Sequence, residues 1–249
     1  MLAAERRQYI LECLQRDGRV LANDLSAELK VSEDTIRRDL REMASEGLLQ
    51  RVHGGALRKS PALVNYKTRE AHLTDQKMTV AKKAATLIQD GMVVLMGGGT
   101  TNVQTANFLP PTLKATIITH SPNAAVALAD HPAVEIILLG GSLYKHARVT
   151  VGAEPIDKIR QIRADLCLLG ICSLCPTSGI SLQDYEESLI HRAMIDSSAE
   201  VAALASAEKM GTAAPFIVGG LDLLNYIITD STLSEELLAP YRQFNLEIL

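Results

Sequence analysis

The sequence predicts an α/β protein in two parts, an N-terminal winged helix-turn-helix and a larger C-terminal domain built on a parallel sheet. Within the first 60 residues, three short amphipathic segments precede a glycine-tipped hairpin. From about residue 78, short apolar runs typical of buried strands alternate with helical segments. This alternation indicates a parallel sheet with helices on both faces.

The composition is that of a globular protein with an aliphatic core. Of the 249 residues, 47% are apolar and 22% are charged, and there are three phenylalanines and no tryptophan. The N-terminus carries Glu5, Arg6 and Arg7 and does not resemble a signal peptide, and no apolar run approaches the roughly 20 residues of a membrane span. We therefore expect a cytoplasmic protein without a membrane partner.

Three helices are predicted in order along the first 47 residues. The first covers residues 5–16, and Asn23 can cap the second. Ser32 can cap the third, which ends at Gly47. Two extended pieces, 48–52 and 56–58, then flank a Gly-Gly hairpin turn that forms the wing.

The exposed face of the third helix suggests what this unit binds. Its buried stripe is Ile36, Leu40 and Met43, and the other side and its flanks carry polar residues: Asp34, Thr35, Arg37, Arg38, Arg41 and Ser45. A recognition helix needs this division, because one face packs on the core while the other offers donors to DNA. Residues 36–60 hold six basic and three acidic residues, although the net charge of the whole chain is −4. Because acidic residues are interspersed, the alternative interpretation is that this is an ordinary solvated helix face with alternating charges and no DNA partner.

The segment 6–56 resembles the N-terminal domain of the DeoR family of bacterial repressors. Its most specific motifs are VSEDTIRRDL at 31–40 and RVHGGA at 51–56. The resemblance implies that the helix and the wing bind double-stranded operator DNA. The predicted DNA-binding residues are Ser32, Thr35, Arg37, Arg38, Arg41, His53 and Gly54. Because one winged helix makes few base contacts, we expect a homo-oligomer, a dimer or a tetramer.

We divide the chain into a winged helix-turn-helix domain (1–58), a linker (59–77) and an α/β domain (78–249). The linker is polar and contains Ser60-Pro61, with a short helix expected around 65–70. The predicted strands of the α/β domain are 92–96, 115–119, 134–139, 164–170, 200–205 and 226–229. The predicted helices are 79–89, 100–109, 123–130, 154–160 and 184–197.

Glycines and hydroxyls gather where the predicted strands end, the edge at which parallel sheets bind ligands. The run from Gly97 to Thr101 joins a strand to a helix N-terminus, where backbone N–H groups can hold a phosphate. Gly140-Gly141 and Ser121 follow two other strands. The glycine run matches neither common nucleotide-binding pattern, so a plain strand-to-helix turn remains the alternative.

Residues 78–230 also resemble the sensor domain of the DeoR family, which is related to ribose-5-phosphate isomerase and glucosamine-phosphate deaminase. The matching motifs include Gly99-Thr100-Thr101 and Leu138-Leu139-Gly140-Gly141. The resemblance implies a phosphorylated small-molecule effector. The predicted effector-binding residues are Gly98, Gly99, Thr100, Thr101, His120, Ser121, Gly140, Gly141, Asp184, Glu187, His191 and Lys209.

The chain departs from the family pattern at four positions that bear on the ligand. The family usually has Asp at Gly97, Asn at His120, Lys at His191 and Asp at Ser206. We hypothesise an anionic effector that is not a common hexose phosphate. If the two histidines line the pocket, effector binding should change near pH ~6.5, the ordinary imidazole pKa; alternatively they are packed bystanders.

Two alternative functions are an enzyme and a redox sensor. A sugar-phosphate isomerase or deaminase with a DNA-binding appendage would need a general acid and base, and the changes at Gly97 and His191 remove the best candidates. Cys172 and Cys175 have the CxxC spacing of a redox or zinc half-site, but no second pair follows. We therefore expect neither an enzyme nor a bound metal or cofactor.

Overall fold

The computed structural model describes residues 1–72, 74–230 and 233–249. Its first 59 residues form three helices and a small sheet. The helices are α1 (Ala3–Asp17), α2 (Ala22–Leu29) and α3 (Glu33–Ser45). The strands are β1 (Arg19–Leu21), β2 (Leu49–Val52) and β3 (Gly55–Lys59), and β3 pairs antiparallel with both others. This is the predicted winged helix-turn-helix, with β2 and β3 as the wing.

The helix ends follow from local chemistry. The backbone N–H of Thr35 donates to the Ser32 side-chain oxygen at 3.2 Å, which is the predicted cap of α3. The prediction that Asn23 caps α2 is wrong, because the helix already begins at Ala22. The pairing of β1 with β3 holds the chain extended up to Leu21, and the Ala22 N–H then donates to the Gly54 carbonyl.

The core of the N-terminal unit is aliphatic. Ile10 of α1 meets Ile36 and Met43 of α3, and all three are fully buried. The wing reaches this core because position 55 is a glycine. A Cβ atom there would lie 2.0 Å from the Val20 carbonyl oxygen, so any larger residue would separate β1 from β3.

The rest of the chain alternates helices and strands as predicted. Its helices are α4 (Tyr66–Ala71), α5 (Asp75–Thr86), α6 (Thr100–Asn107), α7 (Pro122–Leu128), α8 (Ala153–Ile159), α9 (Tyr185–Asp196) and α10 (Glu235–Leu238). The strands up to residue 182 are β4 (Val93–Met96), β5 (Thr116–Thr119), β6 (Glu135–Leu138), β7 (Ser142–Tyr144), β8 (Val149–Val151), β9 (Ala164–Gly170), β10 (Ser173–Cys175) and β11 (Gly179–Leu182). The later strands are β12 (Ser198–Leu204), β13 (Thr212–Ala213), β14 (Phe216–Gly219), β15 (Tyr226–Ile228) and β16 (Glu247–Ile248).

The described residues form a seven-stranded parallel sheet in the order β16-β15-β12-β9-β4-β5-β6. The parallel sheet is confirmed. Helices α5, α6 and α7 contribute to the apolar core on one face, and α8 and α9 to the core on the other. The chain moves from β4 outward through β5 and β6, then returns to place β9 on the other side of β4. Ligands bind at such a reversal, at the carboxyl ends of the strands.

Several short strands were not predicted. They are the hairpin β7–β8, the antiparallel sheet β10-β11-β14, the C-terminal β16, and β1 and β13. These strands have two to four residues each, too few for a periodic pattern.

The two domains are joined by more than the chain between them. Strand β13 pairs in parallel with β3, with Thr212 opposite Arg58 and Ala213 opposite Lys59. The Arg58 guanidinium also donates to the Met210 carbonyl at 3.0 Å. Strand β3 of the wing therefore forms one sheet with β13 of the C-terminal domain.

The segment predicted as a linker is folded against the C-terminal domain. The Ser60 hydroxyl donates to the Cys172 carbonyl at 2.5 Å, and the Tyr66 N–H donates to the His146 carbonyl at 2.7 Å. The expected short helix is present as α4, and α5 begins within the predicted linker. In the part of the chain that is described, no helix has the length and apolarity to cross a membrane.

Candidate DNA interface and effector pocket

The exposed face of α3 carries the predicted basic residues. Arg37, Arg38 and Arg41 are all exposed, and the Arg38 side chain keeps 78% of its surface. Arg37 contacts Glu33 at 2.6 Å and Arg38 contacts Glu42 at 3.1 Å. Such exposed pairs are worth at most about 1 kcal/mol, so a phosphate or a base edge can replace the acidic partner.

Three acidic residues of α3 and its C-terminal end, Asp39, Glu42 and Glu46, pair with arginines of α1. Asp39 is buried, and its carboxylate accepts from the Arg6 guanidinium at 2.5 Å and lies 3.6 Å from Arg7. Arg7 also pairs with Glu42 and Glu46. Arg6 and Arg7 of α1 therefore compensate part of the acidic charge. Glu33 and Asp34 remain exposed and Glu42 also pairs with Arg38, so the exposed face keeps charges of both signs.

The other predicted DNA-binding residues lie at the two ends of this surface. Ser32 and Thr35 sit at the N-terminus of α3, with their hydroxyl oxygens 2.9 Å apart. His53 and Gly54 are exposed at the tip of the wing, where Gly54 has a φ of 78°. A positive φ at the turn favours glycine. Five of the seven predicted residues thus lie on α3 or at its N-terminus, and two lie at the tip of the wing.

A second candidate site lies at the carboxyl ends of β4, β9 and β12. Six predicted effector-binding residues line it: Gly98, Gly99, Thr100, Thr101, Glu187 and Lys209. The cavity encloses about 20 Å³, room for about one water molecule. A larger ligand can enter only if side chains around the cavity move.

The glycine run before α6 forms the floor of this pocket. Gly99 has a φ of 102°, and a Cβ atom there would have nothing within 4 Å, so the backbone is open to a ligand. Behind it, the Asn102 amide donates to the Gly98 and Leu168 carbonyls, both at 3.2 Å. The first turn of α6 leaves backbone N–H groups without helical partners, so this is a place for an anion.

The pKa values of two buried pocket residues are shifted by burial. Burial raises the pKa of Glu187 to about 7, with Asp184 adding to the rise and Arg69 opposing it. Burial lowers the pKa of Lys209 to about 8. The Lys209 ammonium donates to the Leu204 carbonyl at 3.3 Å, which keeps it at the end of β12.

His120 and His191 lie behind the glycine run rather than in the open cavity. Both are almost fully buried, with ring centres 6.0 Å apart. Nδ1 of His120 lies 3.0 Å from the Thr150 carbonyl oxygen, and Nε2 would lie 3.9 Å from a Cβ atom placed on Gly98. Burial lowers the pKa of His120 to about 4 and that of His191 to about 3. A change in effector binding near pH 6.5 was expected only if the two histidines line the pocket; neither is among its lining residues here, and burial disfavours the charged imidazole.

Besides the two histidines, four of the predicted effector residues do not line the cavity. Asp184 caps α9 by accepting from the Glu187 N–H at 3.0 Å, and Ser121 caps α7 in the same way. Gly140 and Gly141 shape the turn between β6 and β7, where Gly141 has a φ of 136°. In this conformation these four residues cap helices or shape a turn and are not part of the pocket wall.

Three charged residues of the pocket were not predicted. Arg69 and Lys77 come from the predicted linker, and Glu208 comes from the turn after β12. The Lys77 ammonium lies 3.2 Å from the Glu208 carboxylate, and the Lys77 side chain is only 7% exposed. Nε of Arg69 is buried and has no hydrogen-bond partner among the described residues. No local sequence pattern indicates these contacts, which depend on how residues 60–77 fold back.

The cysteines give no support to redox chemistry. Cys172 and Cys175 are buried and unbonded to each other. Burial raises the pKa of Cys172 to about 11, so its reactive thiolate form is disfavoured at neutral pH. Among the described residues, no group of three or more His, Cys, Asp or Glu side chains is placed to hold a metal ion.

Comparison with known proteins identifies both parts of the chain. Residues 6–62 match a model described as a DeoR-like helix-turn-helix domain, and residues 72–231 match the DeoR C terminal sensor domain. The transcriptional repressor GlcR of Bacillus subtilis is 32% identical over 92% of this chain and 89% of its own length. The glycerol-3-phosphate regulon repressor of Escherichia coli is also 32% identical, over 93% of this chain and 92% of its own.

Solved structures give only a distant likeness. A ribose 5-phosphate isomerase from Methanocaldococcus jannaschii covers 54% of this chain and 53% of its own, with 19% identity and a TM-score of 0.39. The sorbitol operon regulator SorC from Klebsiella pneumoniae covers 93% of this chain and 98% of its own, with 14% identity and a TM-score of 0.42.

Proposed function

Because the chain belongs to the DeoR family of DNA-binding transcriptional regulators, we propose that it represses an operon of carbohydrate or related metabolism and responds to a phosphorylated effector in the pocket at Gly98–Thr101. The observation that carries the proposal is the separation of two sites. Exposed arginines lie on α3, while a small cavity with three cationic side chains lies at the N-terminus of α6.

The DNA partner is a double-stranded operator. Ser32, Thr35 and the three arginines of α3 enter the major groove, and His53 and Gly54 of the wing contact the backbone. A homo-oligomer, a dimer or a tetramer, acts in the cytoplasm and presents paired winged helices to repeated half-sites. Phosphate contacts release counterions, so operator affinity falls steeply as the salt concentration rises.

The effector is a small phosphorylated metabolite. Its phosphate lies against the N–H groups of Gly99 to Thr101, within reach of Lys77, Lys209 and Arg69. The charged residues usual in the family are replaced here by Gly97, His191 and Ser206, and the cavity is small, so a compact phosphate fits better than a common hexose phosphate.

Two substitutions test the two-site division. We expect Arg38→Ala to weaken binding to DNA selected from a random pool by about 5- to 100-fold, the worth of one good base contact, without changing effector binding. We expect Thr100→Val to abolish effector binding, measured by calorimetry against a panel of phosphorylated metabolites, without changing DNA affinity. If both substitutions damage the same activity, the division is wrong. Tight binding of an ordinary hexose phosphate would contradict the proposed effector class.

One observation favours the enzyme alternative, since Glu187 and Lys209 both line the pocket and have pKa values shifted toward neutrality. We propose that they tune anion binding instead. Turnover of ribose 5-phosphate or glucosamine 6-phosphate by the purified protein, lost in Glu187→Gln, would support an isomerase or deaminase instead.

A further inference from the structure

The ion pair between Lys77 and Glu208 closes the effector pocket in this conformation. The two charged groups lie 3.2 Å apart, and both residues line the cavity. Lys77 is further held by donating to the His72 carbonyl at 3.0 Å, while Glu208 also accepts from the Ser206 hydroxyl at 3.3 Å. Because the cavity has room for about one water molecule, a phosphorylated ligand needs lining side chains such as these to move.

Glu208 is the group that can move. Its side chain is 34% exposed, whereas that of Lys77 is 7% exposed. The carboxylate can turn to water at little cost, but the Lys77 ammonium needs a nearby negative charge once it is buried. A phosphate oxygen provides that charge.

We propose that Lys77 and Glu208 form a latch, in which Glu208 occupies the position of the effector anion and is displaced when the effector binds. The inference rests on the proposed effector site, because it names the regulation of that pocket. It extends the site by three residues that sequence patterns did not indicate: Arg69, Lys77 and Glu208.

Both residues of the latch are connected to the wing, each through its own stretch of chain. Glu208 lies in the turn Ala207–Lys209, and four residues later the chain forms β13, which pairs with wing strand β3. The Thr212 hydroxyl donates to the Lys209 carbonyl at 2.7 Å, which ties β13 to this turn. Lys77 connects to the same, C-terminal end of β3 through α5, α4 and the docked Ser60.

Together with the Lys77–Glu208 ion pair, these links form a continuous circuit of contacts that includes strand β3 of the wing. Displacement of Glu208 changes the turn before β13, and β13 is hydrogen-bonded to β3. Effector binding therefore loosens or shifts the β3–β13 pairing and with it the wing, which is a coupling between two sites through one strand pair.

Glu208→Gln in the full-length protein tests the latch with inorganic phosphate as the probe. Removing the competing carboxylate should tighten phosphate binding about twofold to fivefold, as expected for the loss of one partly exposed ion pair. Glu236→Gln removes an exposed acid far along the chain and should change nothing. Lys77→Gln should weaken phosphate binding, while Lys82→Gln, an exposed lysine of the same helix, should not.

Hydrogen–deuterium exchange of peptides covering β3 and β13 tests the coupling. Phosphate should speed exchange in the wild type, and in Glu208→Gln exchange should already be fast without phosphate. If phosphate affinity is unchanged in Glu208→Gln but lost in Thr100→Val, the latch is wrong and the effector site stands. The latch is also wrong if affinity rises while exchange in β3 and β13 stays the same. An absence of saturable phosphate binding in every variant would overturn both the latch and the proposed anion site.

Discussion

Replacing Glu187 with glutamine should remove much of the pH dependence of stability between pH 5 and pH 8. Glu187 is buried on α9, and burial raises its pKa from 4.5 to about 7. Between these values the folded protein keeps a proton that the unfolded chain has released. The contribution to stability is therefore complete below pH 4.5 and is lost as the pH rises through 7.

The magnitude follows from the difference of about 2.5 pH units between the two states. One unit corresponds to about 1.4 kcal/mol, so the wild type should lose on the order of 3 kcal/mol across this range. Glutamine has nearly the same shape and does not titrate, so residue 187 should add little to the pH dependence of stability in Glu187→Gln. The variant should therefore be more stable than the wild type at pH 8.

Urea unfolding followed by far-ultraviolet circular dichroism at pH 5, 6, 7 and 8 measures the effect. Glu186→Gln is the matched control, because Glu186 is the exposed neighbour on the same helix and should leave the pH profile of the wild type unchanged. Parallel profiles for the wild type and Glu187→Gln would refute the reasoning, since they would mean that Glu187 is ionised in the folded protein at low pH.

Three further predictions concern the two sites. Asp39→Asn should destabilise the N-terminal unit by about 3–5 kcal/mol, because it leaves the Arg6 guanidinium buried without its partner; calorimetry should show no such loss for the exposed Asp34→Asn. Gly170→Ala should abolish phosphate binding, because its Cβ atom would lie 1.8 Å from the Gly98 carbonyl oxygen, whereas Gly140→Ala meets only ordinary contacts and should bind as the wild type does. Phosphate affinity measured by calorimetry should fall from pH 7 to pH 9 as Lys209, whose pKa is about 8, loses its charge; a constant affinity would place Lys209 outside the anion site.

Residues within one local element could be predicted well. The cap at Ser32, the buried stripe of α3 and the exposed arginines all depend on spacings of three or four residues within one helix. The glycine run before α6 could be found because it sits between an apolar strand and a helix. Such signals are short-range and appear directly in the order of residues.

Predictions that depended on where a side chain ends up were less successful. The two histidines were expected to make effector binding depend on pH if they lined the pocket, but they lie outside its lining and burial lowers both pKa values. Gly140, Gly141, Ser121 and Asp184 were placed near the ligand because they follow strands or begin helices. In the structure they cap helices or shape turns beside the pocket.

The sequence by itself determined the two kinds of domain, the basic face of α3 and the alternation of strands and helices that predicts a parallel sheet, because hydrophobic periodicity and turn residues act over a few positions. Only the tertiary structure decided that Asp39 faces Arg6, that Lys77 meets Glu208 and that β13 extends the wing sheet. These contacts join residues that are 33 or more positions apart. Their formation depends on the packing of whole elements, so no local pattern of residues records them.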